Sequence, residues 1–177
     1  RDYVYGARDR MDERYDIIRM VRDQRYKYIR NYEPLKTYYQ YMNTPEQGAT
    51  MRELRRLHEA GKLPAAAEFY FNPTKPTEEL YDCQADPHEI KNLAADPAYA
   101  EVLARMRQAH LEWVKETKDL GLLPEPIIAE REGAIGHRYG ILRQADGDEL
   151  AGRVAETAVA AWRGKQASGA RFDRGEI

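Results

Sequence analysis

The first thirty residues alternate between apolar and polar positions at a spacing that an extended chain can use. Tyr3-Val4-Tyr5-Gly6-Ala7 is an aromatic and β-branched run, the composition of a strand. Ile17-Ile18-Arg19-Met20-Val21-Arg22 and Arg25-Tyr26-Lys27-Tyr28-Ile29-Arg30-Asn31-Tyr32 have the same chemistry, and Asp23-Gln24 between them suits a hairpin turn. Ile18 and Met20 share one face; Tyr26 and Tyr28 alternate with Lys27 and Ile29. This predicts an antiparallel sheet with one face partly wet and basic, carrying Arg19, Arg22, Arg25, Lys27 and Arg30, and the other face packed under a helix. Arg8-Asp9-Arg10-Met11-Asp12-Glu13-Arg14 lies between the first two runs and reads as a charged loop.

Further on the period lengthens. Residues 33–50 hold Pro34, Pro45, Gly48 and several tyrosines, an irregular aromatic connection. Met51, Leu54 and Leu57 lie three apart, which predicts a short helix from Met51 to Ala60 that stops at Gly61. Leu63 to Phe71 suits another turn or two of helix before Pro73 and Pro76 break it. Glu79-Leu80-Tyr81-Asp82 reads as a fourth strand. Asp86-Pro87-His88-Glu89 has a helix-start signature, with a capping Asp, Pro at the first position and Glu at the third. Asp96-Pro97 repeats the signal. Tyr99, Val102, Leu103, Met106, His110, Trp113, Val114 and Thr117 then line one face of a long helix, expected to end at Gly121. After Pro126 the chain is mixed, with an Ala-rich helix expected over Leu150–Trp162 and a polar tail over 164–177. The fold class this gives is α+β: a small antiparallel sheet of about four strands, packed by a long helix, plus an extra helical tail.

Composition narrows the function. Charged residues make up 33% of the 177 and nearly cancel to a net −2. Asp12, Glu13, Asp16 and Asp23 dilute the basic hairpin, so a nucleic-acid partner is not expected. No apolar run approaches the roughly 20 residues of a membrane span. Cys83 is the only cysteine, beside Asp82 and with no histidine in a partner position, and reads as packing rather than catalysis. His58, His88, His110 and His137 form no i, i+3 or i+4 pair, so no metal site is expected in this chain. His110, on the apolar helix face, reads as a core histidine with a hydrogen-bond partner. The sharpest chemistry is Arg8, Asp9 and Arg10. Arginine forks suit sulfate, phosphate or carboxylate, and an acid between them can orient them. A solvated salt-bridge cluster has the same composition; a place after a strand favours a site.

A resemblance adds to this reading. Asp16-Ile17-Ile18-Arg19-Met20-Val21-Arg22-Asp23-Gln24-Arg25-Tyr26-Lys27-Tyr28-Ile29-Arg30-Asn31 resembles the C-terminal hairpin of sulfatases, where an arginine-rich strand leads to a Lys-Tyr-Ile segment. Glu78-Glu79-Leu80-Tyr81-Asp82, then Asp86-Pro87-His88-Glu89 and Asn92-Leu93-Ala94, resembles the same family's following run. The heparan N-sulfatase (sulfamidase)-like branch is the nearest by these motifs. The resemblance covers residues 3–126 and implies a C-terminal subdomain over 1–126, with 1–14 at the end of a main-domain sheet and pocket loop, and a separate tail over 127–177. The opening in mid-strand predicts a piece of a longer polypeptide. The resemblance further implies a partner N-terminal domain holding a formylglycine nucleophile and calcium, sulfated carbohydrate as substrate, and a periplasmic or extracellular setting. The family's C/S-x-P-S/A-R motif has no counterpart here: Cys83 is followed by Gln84-Ala85-Asp86. Carried over is the expectation that Arg8, Asp9 and Arg10 touch the sugar or sulfate, with no catalytic residue and no metal ligand in this chain. The alternative class is a stand-alone module that binds an anionic polymer or a protein through a basic, tyrosine-rich sheet.

Overall fold

The computed structural model describes residues 1–11, 13–153 and 156. Four strands, β1 (Val4–Met11), β2 (Arg14–Arg22), β3 (Tyr26–Asn31) and β4 (Glu78–Asp82), form one antiparallel sheet in sequence order. Three short helices, α1 (Asn43–Glu46), α2 (Ala49–Glu59) and α3 (Ala65–Glu68), and a 3-10 turn over Phe69–Phe71 lie between β3 and β4. The long helix α4 (Ala100–Thr117) and then α5 (Glu125–Ile135) follow. The α+β class and the four-stranded sheet are as the alternation indicates.

Pairing places Tyr5, Val21, Tyr28 and Leu80 in one row across the sheet. Val21, Tyr28 and Leu80 are buried against Leu93 and against Leu103, Met106 and Ala109 of α4. The spacing of those three helix residues is that of a single apolar stripe. Asp96 starts this segment as its sequence implies: its side chain accepts from the Ala98 amide at 3.0 Å, and Pro97 opens a 3-10 turn that continues as α4.

The next row on the same face is Ala7, Arg19, Arg30 and Glu78. Arg19 and Arg30 are therefore buried on the helix side, not displayed on a wet basic face. The reason is periodicity, since Arg19 stands two residues from Val21 and must share its face. Charge makes this tolerable. Glu78 accepts from the Tyr28 hydroxyl at 2.7 Å and from Arg107 Nε and Nη2 at 2.7 and 2.5 Å, with Arg30 Nη1 3.8 Å away.

The opposite face is covered by the tyrosine-rich connection. Backbone bonds from Asn31 to Thr77 (3.0 Å) and from Lys75 to Pro34 (2.8 Å) fix its ends. Beneath it the Glu79 carboxylate accepts from Asn31 Nδ2 at 2.6 Å, from the Tyr81 hydroxyl at 2.5 Å and from the Tyr38 hydroxyl. Burial first, and then that carboxylate, push both phenols well above the usual tyrosine range. The outer edge of β4 is closed by a side chain: Asn92 accepts from the Leu80 amide at 3.0 Å and donates to the Glu78 carbonyl at 3.1 Å.

Among the helices, two departures from the sequence reading matter here. Asp86 starts no helix; its carboxylate accepts from the Ile90 and Lys91 amides, both at 2.8 Å, and closes a loop in which Glu89 adopts φ 55°. An Asp-Pro pair serves a helix cap and such a loop equally well. Helix α4 ends at Thr117 rather than Gly121, because Lys118 takes φ 53° and leaves the helical region.

Contacts divide the chain into two compact units, Arg1–His110 and the segment that begins at Leu111. In the second, Leu123, Ile128, Ile141, Leu142 and Ala151 are buried together. Gly136, at φ 83°, ends α5 and donates its amide to the Glu132 carbonyl at 2.7 Å. Residues 147–153 are helical; most of the helix expected over Leu150–Trp162, and the 164–177 tail, lie outside the described residues.

Candidate functional site

The three residues singled out by sequence belong to a strand. β1 runs through Arg8, Asp9 and Arg10 to Met11, which pairs with Arg14, so the expected loop shrinks to the hairpin turn. Asp12 lies outside the described residues. Charged residues persist in this strand because its flank is half-exposed and β2 supplies the pairing. Arg8 faces Ile18 and Arg10 faces Tyr15, so the register slips at Asp9 in a β-bulge.

Alternation across the strand separates the three. Asp9 turns to the helix side, where its Oδ1 accepts from Arg19 Nη1 at 2.8 Å. Arg19 also donates to the Arg8 and Ile18 carbonyls, at 3.1 and 2.9 Å, and so pins both sides of the bulge. Asp9 thus anchors the strand from below. Arg8 lies on the other face, its Nη1 3.7 Å from Asp16 Oδ2. The same Asp16 oxygen accepts from Lys75 Nζ at 2.5 Å and from Gln40 Nε2 at 3.0 Å, and both members of the Asp16–Lys75 pair are fully buried. Arg10 places its guanidinium 5.0 Å from the Tyr15 ring centre, and Lys36 Nζ approaches the same ring at 4.4 Å.

The result is a basic, aromatic end of the sheet. Arg8, Arg10, Lys36 and Lys75 gather around Tyr15 and Asp16, and Asp16 already neutralises Lys75. Such a half-buried guanidinium pair is suited to holding an anionic oxygen cluster. Sequence reading missed Tyr15, Lys36 and Lys75. The signal for Tyr15 was its closeness to Arg10 in a hairpin whose register could not be read. Lys36 and Lys75 carried none, because lysine ordinarily stays at the surface.

The remaining candidates are structural. Burial pushes the Cys83 thiol up, and its sulfur sits 3.8 Å from a Glu89 carboxylate oxygen, the reverse of what a thiolate nucleophile needs. His110 is buried between the Tyr28 and Tyr32 rings and its Nε2 lies 2.7 Å from the Tyr32 hydroxyl, the core role its position implies. His58 stacks on Phe71 at 4.2 Å, and His137 accepts the Gly140 amide at 3.0 Å. Among the described residues no group of three or more His, Cys, Asp or Glu is disposed to hold a metal ion. No helix of the described residues is long and apolar enough to cross a membrane. Nor do the residues around Cys83 fit a formylglycine site, which would need Pro at Ala85 and Arg at Pro87.

A small α+β unit with a basic, aromatic sheet end is thus defined, and comparison with known proteins gives it a family. The chain is 45% identical over 131 residues to an ulvan-active sulfatase of Formosa agariphila, a match that covers 74% of this chain and 22% of that protein. It is 41% identical over 54 residues to human N-sulphoglucosamine sulphohydrolase, covering 30% of this chain and 11% of that one. Among solved structures, a 2-O GAG sulfatase is 28% identical, with 67% of this chain and 17% of the other covered and a TM-score of 0.40. No family model matches the chain. Over the portion these alignments cover, the chain belongs to the sulfatase family. It spans about a fifth of the length of the sulfatase it matches at 45% identity.

Proposed function

We propose that this chain is the C-terminal part of a sulfatase that hydrolyses sulfate esters or sulfamates of glycans outside the cytoplasm, in the periplasm or beyond the cell. In this reading the nucleophile and calcium belong to the remaining N-terminal domain. This chain contributes a pocket wall, with Arg8 and Arg10 meeting the sulfate or sugar acid, and Asp9 acting below them as an anchor. The observation that carries the reading is the 45% identity over 131 residues to a sulfatase. The approach of Arg10 and Lys36 to the Tyr15 ring, with Arg8 beside neighbouring Asp16, supports the role given to the two arginines. The stand-alone basic sheet loses its support, because Arg19 and Arg30 are buried.

The test is sulfate release from an aryl sulfate and from sulfated oligosaccharides. This chain alone is compared with the longer parent polypeptide, both co-expressed with a formylglycine-generating enzyme. The chain alone should release none and the parent should be active. In the parent, Arg8→Ala with Arg10→Ala should raise KM for the oligosaccharide about tenfold or more and leave kcat within about twofold. Sulfate release by the chain alone would overturn the division of labour, and an unchanged KM would remove the two arginines from the pocket.

A further inference from the structure

The sheet face away from α4 carries a cavity of about 190 Å³ that the basic, aromatic end does not use. Its walls include the rings of Tyr38, Tyr81 and Phe69. Tyr38 and Tyr81 both donate their hydroxyls to Glu79, so what they leave for a ligand is ring surface. Phe69 meets Tyr38 edge-on, 5.3 Å between ring centres at 87°, and is 46% exposed. Ile90 extends the apolar rim and is 58% exposed. Phe69 is the open ring of this cavity, with Tyr38 half-buried and Tyr81 buried beside it.

Two polar groups converge on the same space. Asn72 is exposed; its backbone amide donates to the Phe69 carbonyl at 3.1 Å, and its side-chain amide makes no hydrogen bond among the described residues. Glu89 is held from behind by Lys27, whose Nζ lies 2.6 Å from Oε2, while Oε1 has only the Cys83 sulfur at 3.8 Å. Glu89 does this from φ 55°, a backbone conformation strained for a residue with a Cβ. No arginine or lysine lines the cavity. With no cation in its lining, and with Glu89 at its edge already paired to Lys27, it offers sulfates and uronates no charge partner. Its volume is below the roughly 300–1,000 Å³ of pockets that hold drug-sized ligands, which suits one ring.

From these observations we infer that the cavity binds a single uncharged sugar unit. The apolar face of the sugar stacks on Phe69 and the tyrosine rings, and its hydroxyls meet the Asn72 amide and Glu89 Oε1. The inference rests on the glycan reading above and adds a neutral subsite to it, separate from the anionic one at Arg8 and Arg10.

The test is NMR titration of the isotope-labelled chain with neutral monosaccharides (glucose, galactose, xylose), with glucuronate and glucose 6-sulfate as charged controls, and with a sulfated oligosaccharide. A neutral sugar should shift the Asn72 side-chain amide, Phe69 and Ile90, with a Kd of about 1–10 mM. Ala66→Trp, a filling change at an exposed position lining the cavity, should weaken this about tenfold or more while leaving Arg8 and Arg10 signals in place. Phe69→Ala gives the same readout by removal. Absence of neutral-sugar shifts, or equal binding of the charged controls, would overturn the subsite. If the sulfated oligosaccharide still shifts Arg8 and Arg10, the proposed function stands without it. Neutral-sugar shifts in the cavity with no response at Arg8 and Arg10 would keep the subsite and remove the anionic one.

Discussion

Lys75 and Asp16 set the terms at the scale of single residues. Two fully buried charges 2.5 Å apart have given up their hydration and depend on one another to recover it. Arg8, 3.7 Å from Asp16, adds a second cation, but it is half-exposed and cannot replace a buried lysine. Lys75→Met should therefore cost about 3–5 kcal/mol, because it strands the Asp16 carboxylate. Asp16→Asn should cost about as much by stranding Lys75. The double variant should cost clearly less than the sum, with a coupling of about 1–3 kcal/mol or more in a urea-denaturation double-mutant cycle. Additive losses would show that the pair is held by its surroundings rather than by its own attraction. Little of this network was readable from sequence. Arg8, Asp9 and Arg10 stood out as residue types, and His110 stood out by helical spacing. Lys75, between two prolines that break the chain, gave no sign that its ammonium would be buried.

At the scale of elements, the sequence spoke clearly where hydrophobic spacing decides and poorly where polar residues do. β2 and β3 follow from alternation, and α4 from the stripe that runs through Val102, Leu103, Met106 and His110. The second half of β1 does not, because Arg8-Asp9-Arg10-Met11 has loop composition and becomes strand only through pairing with β2. The faces of β2 and β3 were misjudged for a related reason: arginine counts as polar, yet Arg19 and Arg30 lie inside, facing Glu78 and Asp9. The end of α4 offers a direct test of a missed boundary. Lys118 holds φ 53°, where a Cβ is strained, and its ammonium lies 2.9 Å from Asp148, whose side chain is 80% exposed. Such an exposed pair contributes little. Lys118→Gly should raise stability by about 0.5–1 kcal/mol, seen as a higher Tm. A lower Tm would mean that the ion pair outweighs the backbone strain.

Over the whole molecule the near-neutral sum of charges hides a structure stitched together by ion pairs, and acid should undo it in a defined order. The β2–β3 turn is fastened at two points. Asp23 accepts from the Tyr26 and Arg25 amides, at 2.6 and 2.8 Å, and from Arg105 on α4 at 2.7 Å. Asp82 on β4 accepts from Arg25 at 2.6 and 3.0 Å. Burial works against the Asp23 carboxylate, but these hydrogen bonds outweigh it and hold its pKa below the usual 3.8. The Arg25 guanidinium does the same for Asp82. Both pKa values are depressed in the folded chain, so the unfolded chain takes up protons first as pH falls. The stability the pair contributes is complete above the ordinary aspartate value and is lost as pH drops through the lower folded values. Thermal melting from pH 6 to pH 3 should therefore show a Tm that is nearly flat to about pH 4 and then declines. The Asp23→Asn, Asp82→Asn variant should begin with a lower Tm and show a shallower decline below pH 4, because two of the groups that titrate are gone. The same slope in both proteins would place the acid sensitivity elsewhere and would make the turn a bystander to acid unfolding.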